Sequence, residues 1–167
     1  MPRSDQGVSL QRYMLVPRLL IFVRRGDDAV LLLKGAPGKR LWAGKWNGIG
    51  GHLERGEDVL SAARRELFEE TGLQADLWLC GTLVVDSGEN PGVGIYLFVG
   101  ENPKGELRPS AEGDLDWIPA ARLQDLPLVE DLLVLLEKVL RCRRCDPPFS
   151  ARSFYDAEGR LHLVFTE

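Results

Sequence analysis

Cysteine is scarce, with three in 167 residues: Cys80, Cys142 and Cys145. Three thiols do not make a disulfide framework, so an apolar core must hold the fold, and a reduced, cytoplasmic setting is the default. Cys142 and Cys145 form a C-x-x-C pair. A four-ligand zinc site would need two more ligands, and only His52, His162 and Cys80 are on offer. The pair therefore reads as two thiols after a helix. Long apolar runs are missing too. The stretch 13–23 is too short to span a bilayer and is interrupted by Pro17 and Arg18. Residues 1–12 are polar and do not read as a secretory signal. Basic charge is not in excess: 21 Lys and Arg stand against 25 Asp and Glu, a net −4. That argues against wholesale DNA or RNA binding, which needs a broad basic surface. It leaves room for a small phosphorylated substrate held by a few cations and a metal.

What is present is ordinary for a globular chain, 44% hydrophobic and 28% charged. The length suits one domain with a sizeable core. No repeat, low-complexity tract or linker divides it, so 1–167 reads as a single domain. Residues 13–23 read as a buried strand and 29–34 as its hairpin partner across Gly26-Asp27-Asp28. A glycine-containing loop runs from 35 to 45, and 46–53 reads as a strand edge or tight turn. Residues 58–71 read as a helix, with Glu57 and Asp58 at its start and Gly72 as its stop. Strands are expected at 76–85, 94–99 and 116–118, an apolar helix at 129–140, and a closing hairpin at 151–155 and 161–165. Strands mixed with two good helices predict an α+β domain, layered α/β/α.

The run from Gly51 to Leu73 carries the chemistry. On a helix, Glu66, Glu69 and Glu70 are three and four residues apart and share a face, while Leu60, Ala63 and Leu67 define an adjacent apolar face. Like charges so spaced destabilise a free helix by roughly 0.2–0.5 kcal/mol per pair. A hard divalent cation would relieve that repulsion, and so would Arg64 and Arg65. Taken alone, the three glutamates suit a solvated acidic face better than a metal site.

The fixed positions around them alter that balance. Gly51, Glu57, Arg65, Glu66, Leu67, Glu69, Glu70, Gly72 and Leu73 fill every set place of G-x5-E-x7-R-E-U-x-E-E-x-G-U, with U a bulky aliphatic residue. Residues 51–73 thus resemble the Nudix box, and the order of strands around them resembles the Nudix fold. The resemblance implies a mixed sheet between helices, with the box as a loop–helix–loop. It implies that Glu66, Glu69, Glu70 and the carbonyl of Gly50 hold Mg²⁺ or Mn²⁺. It also implies that Glu57 and Arg65 orient those ligands, and that water cleaves a phosphoanhydride of a nucleoside diphosphate derivative. Glu66 is the first candidate for the general base, with Glu70 and Arg65 beside it. Glu112, five residues before Trp117, is the second; it is equally an ordinary loop carboxylate.

Substrate choice lies outside the box. The segment 45–51, Lys-Trp-Asn-Gly-Ile-Gly-Gly, resembles the MutT-like branch that hydrolyses oxidised purine nucleoside triphosphates such as 8-oxo-dGTP. There Asn47 would contact the purine, unless it is only the turn residue before Gly48. Glu130 and Asp131 suit either base reading or the N-terminus of the following helix. Trp46 and Trp117 offer stacking or core surface. His52 stands where many relatives carry Lys, which leaves Lys34, Lys39, Arg40 and Lys45 as the candidates for phosphate contact. The expectation is a purine nucleoside triphosphate pyrophosphohydrolase, monomer or homodimer, using no nucleic acid or membrane partner. The alternatives are an ADP-ribose or nucleotide-sugar pyrophosphatase and a catalytically silent nucleotide-binding regulator.

Overall fold

The computed structural model describes Gly7, Ser9 and residues 11–26, 28–38 and 41–166. Nine strands among them form one mixed sheet. Strand β1 (Leu15–Arg25) is its axis. It runs parallel to β6 (Gly92–Lys104) from Leu15 to Val23. On its other side it pairs antiparallel first with β4 (Ile49–His52), then at Arg24 and Arg25 with β2 (Ala29–Gly35). Outward from β6 follow β5 (Gln74–Asp86), β8 (Phe149–Tyr155) and β9 (Leu161–Thr166). Strand β2 also carries β3 (Trp46–Asn47) and β7 (Gly113–Pro119).

Alternation along β1 divides the core into two layers. Leu19, Ile21 and Val23 face helix α1 (Val59–Thr71), together with Ala62, Ala63, Leu67 and Phe98. Leu20 and Phe22 face helix α2 (Leu132–Val139), packing with Leu132, Leu135, Leu136 and Leu97. Full burial of each large side chain contributes about 1.5–3 kcal/mol, so both helices are fixed by their apolar stripes. The α/β/α layering is the one expected from the sequence.

Helix α1 is capped at both ends, by a side chain at its start and by backbone conformation at its end. Asp58 Oδ1 accepts from the Leu60 and Ser61 N–H groups at 3.0 Å each, and its Oδ2 accepts from Ser61 Oγ at 2.7 Å. Gly72 takes the left-handed φ of 76° and donates to the Phe68 carbonyl at 2.8 Å.

Several boundaries differ from expectation. β1 begins at Leu15, and its first residues are exposed; burial starts only at Leu19, where α1 and α2 cover the sheet. Ala62 joins the buried face of α1, while Leu60 is half-buried. Helix α2 begins at Leu132 rather than at 129. The Trp46 N–H donates to the Pro127 carbonyl (2.9 Å) and Val129 N–H to the Trp46 carbonyl (3.1 Å), so this segment is held to β3. A 3-10 turn, Ala120–Asp125, follows β7. Asp27, Lys39 and Arg40 lie outside the described residues. Cys80 is buried, with its thiol pushed up to about 12 chiefly by that burial, and all three cysteines are free thiols. No helix among the described residues is long and apolar enough to cross a membrane.

Candidate active site

The Gly51 turn and α1 form one unit. A Cβ on Gly51 would lie 2.3 Å from Glu66 Cγ and 2.5 Å from its Cδ, so only glycine lets this carboxylate lie across the strand. The His52 N–H donates to Glu66 Oε1 at 3.1 Å. Arg65 is the hub. Its Nε and Nη2 donate to Glu57 Oε1 and Oε2 at 2.7 and 3.0 Å. Nη1 donates to Glu66 Oε1 at 3.0 Å and Glu69 Oε2 at 3.1 Å, and Nη2 also reaches the His52 carbonyl at 3.1 Å. One guanidinium therefore ties the loop to two helix carboxylates. The hydrogen bond from Arg65 holds the Glu57 carboxyl below its usual range, and the same contacts raise the Arg65 pKa.

Enclosure grades along the helix. The Glu66 side chain is 14% exposed and that of Glu69 59%. Glu70 is half-buried, with Oε2 shielded from solvent. Hard carboxylate oxygens on one helix face, beside a glycine that leaves room for them, suit a magnesium-sized cation in type. Yet among the described residues no three His, Cys, Asp or Glu side chains are gathered closely enough to hold an ion. Arg65 stands among Glu57, Glu66 and Glu69 instead.

The other candidates are spread over the sheet. Gly50 pairs with Leu20 next to the turn. Asn47 Oδ1 accepts from the Gly48 N–H at 2.8 Å, the turn contact that was the alternative to base reading. Lys34 pairs in register with Trp46 and Asp114. Glu112 precedes β7, where its carbonyl accepts from Ala36 N–H at 3.0 Å. Trp46 packs on the α2-side core, and Trp117 lies under the Arg25 guanidinium at 4.6 Å. Glu130 is exposed. Asp131 stands at the start of α2 without capping it. Its Oδ2 accepts instead from the buried Ser153 hydroxyl on β8 at 3.3 Å. Burial raises the Asp131 pKa. Ser153 was missed in the sequence; its only signal there was a hydroxyl at an inward position of the closing hairpin.

A mixed sheet between two helices, with the box as its loop–helix unit, defines a hydrolase class. Residues 14–139 match the family model described as a NUDIX domain. The chain belongs to the Nudix hydrolase family. Over 117 residues it is 37% identical to the oxidized purine nucleoside triphosphate hydrolase of Danio rerio, which covers 66% of this chain and 74% of that protein. Over 142 residues it is 29% identical to the 8-oxo-dGDP phosphatase NUDT18 of Homo sapiens; this covers 82% of the chain but 42% of the relative, so the chain spans less than half of that protein's length. A crystal structure of a MutT protein from Bacillus halodurans matches with TM-score 0.75 and 25% identity, covering 90% of this chain and 97% of that one.

Proposed function

We propose that this chain hydrolyses a phosphoanhydride bond of a purine nucleoside triphosphate, oxidised or not, releasing the monophosphate and pyrophosphate. The observation that carries this is the Gly51–Glu66 contact. It fixes a carboxylate-bearing helix against the glycine turn, a few residues from Asn47, while Asp131 stands over the same sheet. The zebrafish and human relatives, an oxidized purine nucleoside triphosphate hydrolase and an 8-oxo-dGDP phosphatase, support an oxidised purine as the base.

Glu66, Glu69, Glu70 and the Gly50 carbonyl would hold Mg²⁺ or Mn²⁺. When bound, such an ion neutralises phosphate oxygens and makes water more acidic. Arg65 and Glu57 orient the carboxylates. Glu66 accepts the water's proton, with its Oε1 already engaged by His52 N–H and Arg65. Glu112 is the second candidate for that proton. Asn47, Asp131 and Glu130 would meet the base, and Lys34 the phosphates.

Chromatography of the nucleotide products together with release of phosphate and pyrophosphate, screened over nucleoside di- and triphosphates, 8-oxo-dGTP, 8-oxo-dGDP, nucleotide sugars and dinucleoside polyphosphates with Mg²⁺ and Mn²⁺, tests this. Pyrophosphate from purine triphosphates is expected. Turnover of ADP-ribose alone would replace this substrate assignment, and no turnover of any compound would favour a silent binder.

A further inference from the structure

Arg18 stands in β1 between Pro17 and the buried Leu19. Its register partners are His52 on β4 and Ile95 on β6. Alternation puts it on the face of Leu20 and Phe22, the face that α2 covers further along. From Ile95 the row continues through Leu83 to Ala151. The neighbouring row on this face runs Val16, Val93, Val85 and Ser153, and Ser153 carries Asp131. Val16 is exposed and Val93, Ile95 and Val85 are half-buried, so α2 leaves this end of the sheet open. The result is an apolar shelf with a guanidinium at one end and a carboxyl at the other. Three interstrand spacings separate β1 from β8, about 14 Å. An arginine's reach plus a purine spans that distance.

One donor of the guanidinium, Nε, is unsatisfied. Arg18 Nε is shut off from solvent and has no hydrogen-bond partner among the described residues. Such a buried donor weakens the fold unless something pairs with it. Side chains kept at a cost to stability concentrate at functional sites.

We propose that Arg18 is a specificity residue that donates to a ring carbonyl of a 6-oxopurine lying on this shelf, an inference that rests on the nucleotide hydrolase reading above. An arginine offers donors only. It accepts guanine-type bases, including 8-oxoguanine, and confronts the exocyclic amine of adenine with a second donor. A phosphate could take the same fork. The phosphates, however, belong beside Glu66, and Glu66 lies over Gly51, the register partner of Leu19 on the α1 face. Arg18 points to the opposite face.

The test compares the wild type with Arg18→Gln and Arg18→Met on 8-oxo-dGTP, dGTP and dATP, by kcat/KM and by thermal unfolding. Both variants should lose roughly 10- to 100-fold on the two guanine substrates, through KM. They should lose far less on dATP, so that base preference collapses. Arg18→Met should melt at or above the wild-type temperature. An equal loss on all three substrates would make Arg18 a phosphate contact, and an unchanged base ratio would make it a bystander; either overturns the proposal. A lower melting temperature for Arg18→Met with the ratio intact would mark a structural arginine and do the same. If the wild type turns over no purine triphosphate at all, the broader assignment of function falls first and this proposal with it.

Discussion

Arg65 grips Glu57 through two parallel hydrogen bonds, 2.7 and 3.0 Å long, across eight residues of chain. The same guanidinium reaches Glu66, Glu69 and the His52 carbonyl. A lysine offers three donors on a point charge and cannot form the planar fork. Arg65→Lys should therefore keep the fold but lose roughly 10- to 100-fold in kcat, as expected when ligand-orienting contacts go. The pH sign follows from Glu57. Its carboxyl is lowered from the ordinary 4.5, so the pair's contribution is present above that value and fades as pH falls through the lowered one. Melting temperature recorded from pH 7 to pH 3 should drop less in Glu57→Gln than in the wild type. Equal acid sensitivity in the two proteins would show the pair to be irrelevant to stability.

Glu69→Gln and Glu70→Gln should each lower turnover by orders of magnitude while far-UV circular dichroism stays unchanged. Chelation by EDTA should abolish activity, and added Mg²⁺ or Mn²⁺ should restore it. Near-normal rates in both variants would remove the metal assignment from this face of α1.

Gly51→Ala separates space from chemistry. The new methyl would sit 2.3 Å from Glu66 Cγ, so the carboxylate must swing away from the His52 N–H. Activity should fall as far as in a Glu66 substitution, with only a small change in melting temperature. A normally active Gly51→Ala enzyme would mean that Glu66 works from another position.

The local signals that were legible in the sequence are those with a one-residue physical cause. Asp58 and Gly72 mark the ends of α1 because one caps with a short carboxylate and the other adopts φ 76°. The unbroken apolar run of residues 19–23 foretold a buried strand, and these five residues are buried. The helix-sharing glutamates were equally visible, since spacing alone sets their face. Pairings between distant segments were not visible. Helix α2 starts later than its apolar pattern implies because the backbone of 127–129 is committed to Trp46, 81 to 83 residues earlier. The Asp131–Ser153 contact needs α2 and β8 brought together, and neither residue is unusual in isolation. Arg18 showed only as an interruption of an apolar run; that its Nε is buried without a partner emerges from the folded sheet.

Because the two caps act on α1 independently of the chemistry, they should affect stability more than rate. Asp58→Ala removes three acceptor contacts and should lower stability measurably. Gly72→Ala forces a β-carbon into left-handed backbone and to 2.7 Å from the Glu106 carbonyl, for about 1–2 kcal/mol or more. Denaturant titration should show both losses, with kcat per folded molecule nearly unchanged at 25 °C.

Asp131 has the opposite pH sign from Glu57. Burial raises its pKa above the ordinary 3.8, and the Ser153 hydroxyl offsets this only in part. Relative to the unfolded chain, the neutral carboxyl is favoured in the fold. That contribution is complete below 3.8 and is lost as pH rises through the raised value. Asp131→Asn removes the ionisation while keeping an acceptor for Ser153. The variant should gain melting temperature relative to the wild type at pH 7, and the gain should vanish below pH 4. Its amide also presents donors to a bound base at every pH, so KM for purine nucleotides should lose whatever pH dependence this carboxyl imparts. A variant that tracks the wild type in melting temperature across this range would show that Asp131 is solvated in the fold, and the pH dependence assigned to it would have to come from another group.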